Sequence, residues 1–282
     1  MLRVRPLPFE ATASYAQRLA CIYQLTLPQL LDGIGITLHR HGTQPAAELI
    51  LTPRAARHLA ALARTPLSHL TRALPHLALP GDTHTTGAAA RWKRLEAEHQ
   101  PVRACTLCTL HRTHDGTDTA WVHRPPHQLV CPRHHQAAPD PRLASTVHTR
   151  AVPELAAAHH AHQRLLHHPR ALTAWTAARA ITTRWYDHQQ HLTHRWHTRL
   201  TQLTADSPHL TTTGSISPAL LTRDLVTYPE TVALARTLAA LPKRPRHTTD
   251  DALSLIAHRL GLPRLAPNTN DPLQVFLTHT RH

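Results

Sequence analysis

The chain has 282 residues, a formal charge of +14 and a pI of about 11.1. A hydrophobic share of 41% excludes a disordered polyelectrolyte, and the length suffices for a buried core, with two domains as the prior. No apolar run is long enough to cross a bilayer, and the opening "MLRVRPLPFE" lacks the apolar core of a secretory signal, so a cytoplasmic protein is expected. The charge favours a polyanionic partner such as nucleic acid, bound with a steep salt dependence. Nearly all of it is arginine, since Lys93 and Lys243 are the only lysines. The richness in Ala, Thr, Pro, Arg and His matches GC-rich codons, which accounts for part of the arginine excess.

Residues 1–80 read as helices with clear punctuation. Ala16, Leu19, Ala20 and Tyr23 recur at i, i+3, i+4 and i+7, one apolar helical face. In "TLPQLLDGIG", Thr26 and Gln29 have capping-box spacing. Leu27, Leu30, Leu31 and Ile34 follow on one face, and Gly33 and Gly35 mark the end. Thr52-Pro53 pairs a cap with proline at the first helical position, ahead of the stripe Ala56, Leu59, Ala60 and Ala63. Thr65-Pro66 repeats that start signal, Leu67, Leu70 and Leu74 follow, and Pro75 closes the segment. Two helices separated by so little chain must turn sharply, as in helix-turn-helix units.

"LPGDTHTTGAAA" (Leu79 to Ala90) reads as a linker, followed by a short helix around Arg91 to His99. Residues Gln136 to Arg150 read as irregular. A helix is expected from Pro153 to about His167. A longer one is expected from Arg170 to about Leu203, where Ile181, Trp185, His188, Leu192 and Trp196 recur in helical steps. "TADSPHLTTTGSISP" breaks the pattern, and helices resume near Leu220 and at "TDDALSLIAHRLG", which Gly261 ends. No strand-rich region is expected outside the cysteine module. "HHAHQRLLHH" (His159 to His168) reads as a solvated helix face, and Trp175, Trp185 and Trp196 read as core.

Three of the four cysteines lie in two short stretches. "CTLC" (Cys105, Cys108) is a C-x2-C knuckle, and Cys131 with His134 forms a C-x2-H knuckle 22 residues later, with Trp121 between them. Such spacings let two donors reach one ion while the backbone turns around it, and the four together complete a tetrahedral Zn²⁺ site. His135 is adjacent and could replace His134; C-x2-H matches the first knuckle better. Four protein donors leave no open coordination position, so the site is structural and non-catalytic. Cys21 lies beside the apolar stripe of the first helix and reads as a buried thiol. A zinc deaminase would need H-x-E and a proline before the first cysteine of its C-x2-C. Here Ala104 precedes Cys105, and no suitable H-x-E stands upstream.

At this point the pieces resemble one family. "LPFEATASYAQRLACIYQLTLPQLL" resembles the opening of the TniQ family through Pro8, Glu10, Ser14, Tyr15, Arg18, Leu19 and Ala20. "ARHLAALARTPLSHLTRAL" looks like that family's second helical pair, and the order C-x2-C, tryptophan, C-x2-H resembles its zinc finger. The likeness runs from about Pro6 to His134. It implies a transposition target-selection factor, an adaptor that recognises double-stranded DNA or a nucleoprotein targeting complex. It also implies recruitment of an AAA+ ATPase regulator and, through it, the transposase. The implied zinc ligands are Cys105, Cys108, Cys131 and His134. Many members carry a second cysteine knuckle. This chain has no cysteine beyond Cys131, so a second zinc site of that kind is absent or the region has diverged.

The nucleic-acid contacts are expected among Arg54, Arg57, Arg64, His69 and Arg72, off the apolar stripe of the second helical pair, and among Arg112, Arg124 and Arg133 around the finger. The expected fold is mainly α, with a helix-turn-helix-like region over 1–80, a small zinc-finger module over 91–140 and a C-terminal helical domain over 150–282. No membrane partner is expected, and a homodimer stays open. The alternative is a stand-alone zinc-containing DNA-binding transcriptional regulator. A metal-dependent nuclease is disfavoured, because the 17 acidic residues offer no carboxylate pair placed for two metals.

Overall fold

The computed structural model describes residues 4–40, 42–78, 87–114, 116–212, 216–241, 248–265, 267 and 270–279. Most of the expected linker "LPGDTHTTGAAA" lies outside them. The chain divides into two compact units, Met1–Thr146 and Val147–His282. The fold is mainly α, with fourteen α-helices among the described residues. None of these is long and apolar enough to cross a membrane.

The first unit opens with α1 (Thr12–Ile22) and α2 (Leu27–Gly33). The expected capping box forms: the Thr26 hydroxyl accepts from Gln29 N, and the Gln29 side chain accepts from Thr26 N at 2.9 Å. Gly35, at φ +70°, turns the chain out of the helix, a conformation glycine adopts without steric cost. Ala16, Leu19 and Ala20 are buried as the periodicity required, but Tyr23 sits past the helix end and is 39% exposed. The stripe is completed by Tyr15, fully buried one turn earlier.

Next come β1 (Thr37–His39), β2 (Ala47–Leu51), α3 (Pro53–Leu62), α4 (Leu67–Ala73) and β3 (Ala89–Arg94). The strands correct two expectations. Residues 91–94 extend a strand where a helix was expected, and the first eighty residues contribute to a sheet. β3 lies at its centre, parallel to β1 (Thr37 opposite Ala89) and antiparallel to β2 (Leu49 opposite Trp92). β2 is buried at all five positions. A short apolar run with no alternation carries no strand signature of its own. Thr65-Pro66 is a further correction: Pro66 is the N-cap of α4 and the Thr65 hydroxyl bonds back to Ala63 O, so no side chain caps this helix.

The other cap does more than expected. Thr52 Oγ1 accepts from Ala55 N at the start of α3 and from Ala89 N (3.1 Å), and donates to Gly87 O (3.0 Å). One hydroxyl thus serves both a helix start and the strand beside it. Thr52→Val keeps the shape and removes all three bonds. It is expected to cost about 2 kcal/mol in urea unfolding, against less than about 0.5 kcal/mol for an exposed surface change of similar size.

The core of this unit is a cluster of Tyr15, Leu19, Leu31, Ile36, Leu49, Leu51, Leu59, Leu70, Leu74 and Leu77 with smaller neighbours. Each buried leucine contributes about 1.5–3 kcal/mol of transfer free energy. The unit continues through β4 (Val102–Arg103), α5 (Thr106–Thr113), β5 (Trp121–Val122), β6 (Val130–Cys131) and β7 (Gln136–Ala137). β4 pairs with β5 and β6 with β7, both antiparallel. The region after Gln136 is therefore not wholly irregular.

The second unit holds α6 (Pro153–Leu165), α7 (Ala171–Asp187), α8 (Thr193–Asp206), α9 (His209–Thr212), α10 (Pro218–Leu221), α11 (Arg223–Val226), α12 (Tyr228–Ala240), α13 (Thr249–Arg259) and α14 (Pro272–His279). The single long helix expected from Arg170 to Leu203 is two helices. Gln189 (φ 52°) and His191 (φ 56°) take left-handed backbone between them. Asp271 stabilises that break by accepting from both Trp185 Nε1 and His191 Nε2 at 3.0 Å. Trp185 and Trp196 are core, as expected, and Trp175 stacks on His162 with ring centroids 4.0 Å apart. His159 and His162 are buried, which corrects the solvated reading of "HHAHQRLLHH". Arg199, buried beside Glu230, donates to both of its oxygens at 2.9 and 3.1 Å.

Candidate metal centre and basic cleft

Each knuckle is built by ordinary local structure. Cys105 is the N-cap of α5, and Cys108 follows one turn in. Cys131 ends β6, and the chain turns back to β7 through His134 and His135. His135 takes φ 51° and donates its N–H to Cys131 O at 2.9 Å, which closes the turn. That role leaves His134 as the inward donor. His134 Nδ1 lies 3.3 Å from Cys105 Sγ, 3.2 Å from Cys108 Sγ and 3.7 Å from Cys131 Sγ. Cys108 and Cys131 sulfurs are 3.9 Å apart, and all four donor atoms lie within 4.8 Å of one another. A tetrahedral ion with bonds of about 2.3 Å to sulfur has S–S edges of about 3.8 Å. The spacing of this set therefore fits a metal ion.

Hydrogen bonding within the set concentrates negative charge on one sulfur. Bonds from Cys105 and Cys108 hold the Cys131 thiol well below its usual range, while Cys105 and Cys131 push Cys108 well above it. Three sulfurs so close cannot all ionise by themselves; a divalent cation lets them do so. Gln136 ties the knuckles together, its Oε1 accepting from Thr106 N and Thr106 Oγ1 at 3.0 Å each. Cys21 is not part of the cluster. Contrary to expectation it is exposed, with its sulfur 3.3 Å from Gly116 O.

The module is sewn into the N-terminal helices. Trp121 N donates to Ser14 Oγ (2.9 Å), Ala11 N to Trp121 O (2.9 Å) and His123 N to Phe9 O (2.7 Å). Beneath these bonds Glu10, fully buried, accepts from Arg18 Nε and Nη2 at 2.8 Å, from Ser14 Oγ at 3.0 Å and from Leu7 N at 2.8 Å. Arg18 Nη1 reaches on to Thr113 Oγ1, at the end of α5, at 2.6 Å. Glu48, also buried, accepts from Ala13 N at 3.1 Å and pairs with His123 Nε2 at 2.7 Å.

The eight basic residues expected to meet nucleic acid divide. Arg54 and Arg57 on α3, Arg64 in the following turn and Arg133 beside the metal cluster are exposed and scattered. Arg124 points inward. Its guanidinium donates to Leu129 O (3.0 Å) and Arg103 O (3.3 Å), and burial lowers its pKa while the three cysteine sulfurs raise it. These bonds hold it within the module, close enough to feel the charge of the metal cluster. His69, Arg72 and Arg112 come together instead, with Arg5, around a cleft of about 480 Å³. Among the described residues no acidic side chain lines that cleft, and Arg112 is held at its edge by donating to Pro6 O at 2.7 Å. Arg5 was missed because it precedes the first helix, where periodicity carries no information; its only sequence signal is the pair Arg3 and Arg5 before Pro6.

The first unit thus combines helices, a small mixed sheet and a Cys3His cluster that could hold a metal ion. Residues 1–137 match the TniQ family model. The match takes in all four metal-binding candidates and ends three residues beyond His134. The family carries a transposition-associated, target-selecting role. No curated protein and no solved structure matches the chain.

Proposed function

We propose that the protein is a non-catalytic adaptor for DNA transposition. It recognises a target, as double-stranded DNA or within a nucleoprotein targeting complex, and recruits an AAA+ ATPase regulator that brings the transposase. The observation that carries this reading is the TniQ match over the whole metal-binding region. A structural Zn²⁺, held by Cys105, Cys108, Cys131 and His134, keeps the unit folded. Thiolate-rich tetrahedral donor sets suit zinc, and four protein donors leave no position for substrate.

The cleft of Arg5, His69, Arg72 and Arg112 supplies the contact to the phosphate backbone, supported by the exposed Arg54, Arg57, Arg64 and Arg133. Arg5→Ala combined with Arg72→Ala is expected to weaken duplex binding about tenfold or more at physiological salt. It should also flatten the slope of log affinity against log salt by about 2, because two fewer phosphates are neutralised. Fluorescence anisotropy across a salt series reads both. Co-purification with an AAA+ ATPase from the same genomic locus, where one is encoded, tests the adaptor role. Duplex binding without any such association would favour a stand-alone DNA-binding regulator.

A further inference from the structure

A second cleft in the same unit, of about 860 Å³, differs in kind from the basic one. Two tryptophans line it, Trp92 from β3 and Trp121 from β5, and both are part-exposed. Gly42 lies against the Trp92 indole so closely that a Cβ there would come 2.7 Å from the ring, so no larger residue fits at that position without a shift. Arg103 stacks its guanidinium 4.2 Å from the centre of the Trp121 ring. Gln17 and Gln44 add amides to the wall.

Two donors in this wall have no acceptor among the described residues: Arg103 Nε and Gln44 Nε2. Unsatisfied buried donors are rare and call for an explanation. Both atoms are shielded from solvent here, so an acceptor from outside the chain reaches them only when these side chains turn toward the cleft. The charge points the same way. Among the described residues no acidic side chain lines the cleft itself, and the one carboxylate that acts on Arg103 electrostatically, Asp118, lies outside that lining. Arg18, the other cation in its wall, is already committed to Glu10, Thr113 and Arg5 O, so Arg103 is the cation with hydrogen-bonding capacity to spare.

A ligand that suits these walls has a flat ring to stack on indole, carbonyl acceptors at its edge and a negative charge near the arginine. An unpaired nucleotide has all three. A paired base does not qualify, because it is stacked within its own duplex and cannot enter a pocket. The cleft volume lies within the range of small-ligand sites. We infer that the cleft between Trp92 and Trp121 captures an unpaired nucleobase from a single strand, reading its carbonyl edge through Arg103 and Gln44. The site is separate from the duplex-binding cleft, and it stands whether or not the chain recruits an ATPase.

The test uses the full metal-loaded chain with labelled twelve-nucleotide strands of dT and of U, and abasic strands of the same length and backbone. Base-containing strands are expected to bind about tenfold or more tighter than their abasic counterparts, and to quench tryptophan fluorescence as they do. Trp121→Ala and Gln44→Ala should abolish that preference and leave duplex affinity unchanged, while Arg72→Ala should weaken duplex binding and keep the preference. Should Trp121→Ala fail to fold, Gln44→Ala and Arg103→Met carry the same comparison. A preference shown by either strand supports the site, and whichever binds better, deoxyribose or ribose, names its source. Equal affinity for base-containing and abasic strands overturns the inference, as does a preference that survives the pocket substitutions.

Discussion

Serine at both Cys105 and Cys131 is expected to remove the bound ion and to destabilise the N-terminal unit by at least about 5 kcal/mol. Structural zinc contributes about 10–16 kcal/mol to the folding of small peptides. The effect here is capped below that range, because the unit also has a leucine-rich core that does not depend on the ion. What melts first is the region from β4 to β7. Among the described residues its apolar side chains are few and mostly small, with Leu7, Ala104, Ala120 and Val122 in one cluster and Val130 and Ala137 buried on β6 and β7, and its strands are two residues long. Elemental analysis should find one zinc per wild-type chain and none in the variant, and differential scanning calorimetry should show an early transition only in the variant. Acidification should release the ion from wild type as well, because protons compete for the sulfurs. A variant that melts like wild type would show that these donors hold nothing of structural importance.

The second large effect is expected at Glu10. Glu10→Ala leaves Arg18, 1% exposed, without its carboxylate. Removing one member of a buried ion pair costs about 3–5 kcal/mol, mostly as the penalty of a stranded charge. That is a large share of the roughly 5–15 kcal/mol by which domains of this size are stable. The double variant Glu10→Ala, Arg18→Met removes the stranded charge, so it should be more stable than Glu10→Ala alone. Urea unfolding of wild type, the two single variants and the double variant gives the coupling directly. Because Arg18 also holds Thr113 at the end of α5, the single variant should release zinc to a chelator faster. Additive losses with no change in release would place Glu10 outside the connection between helices and metal module.

These two sites also show how far the sequence could be read. The four metal-binding candidates were legible because ligand chemistry and short spacing suffice to propose them, and the structure brought the same four together. The C-x2-H spacing already favoured His134 over His135, and the turn supplies the structural reason, since His135 takes left-handed backbone. Glu10 and Arg18 were visible only as parts of a family pattern. Nothing in periodicity says that a glutamate and an arginine eight positions apart will be buried against each other.

By itself the sequence determined what depends on neighbours a few residues away: the capping box at Thr26, the cap at Thr52-Pro53, the two knuckles and the positive charge. Tertiary structure decided everything that depends on distant partners. It made a strand of 89–94, because β1 and β2 offer their edges to it. It split the helix after Asp187, because Asp271 binds both sides of the break. It turned Arg124 inward and gathered Arg5, His69, Arg72 and Arg112 from three separate segments. The physical reason is the same throughout: caps and knuckles close within one turn of chain, whereas burial, strand pairing and charge clustering are settled by whichever distant surface packs alongside.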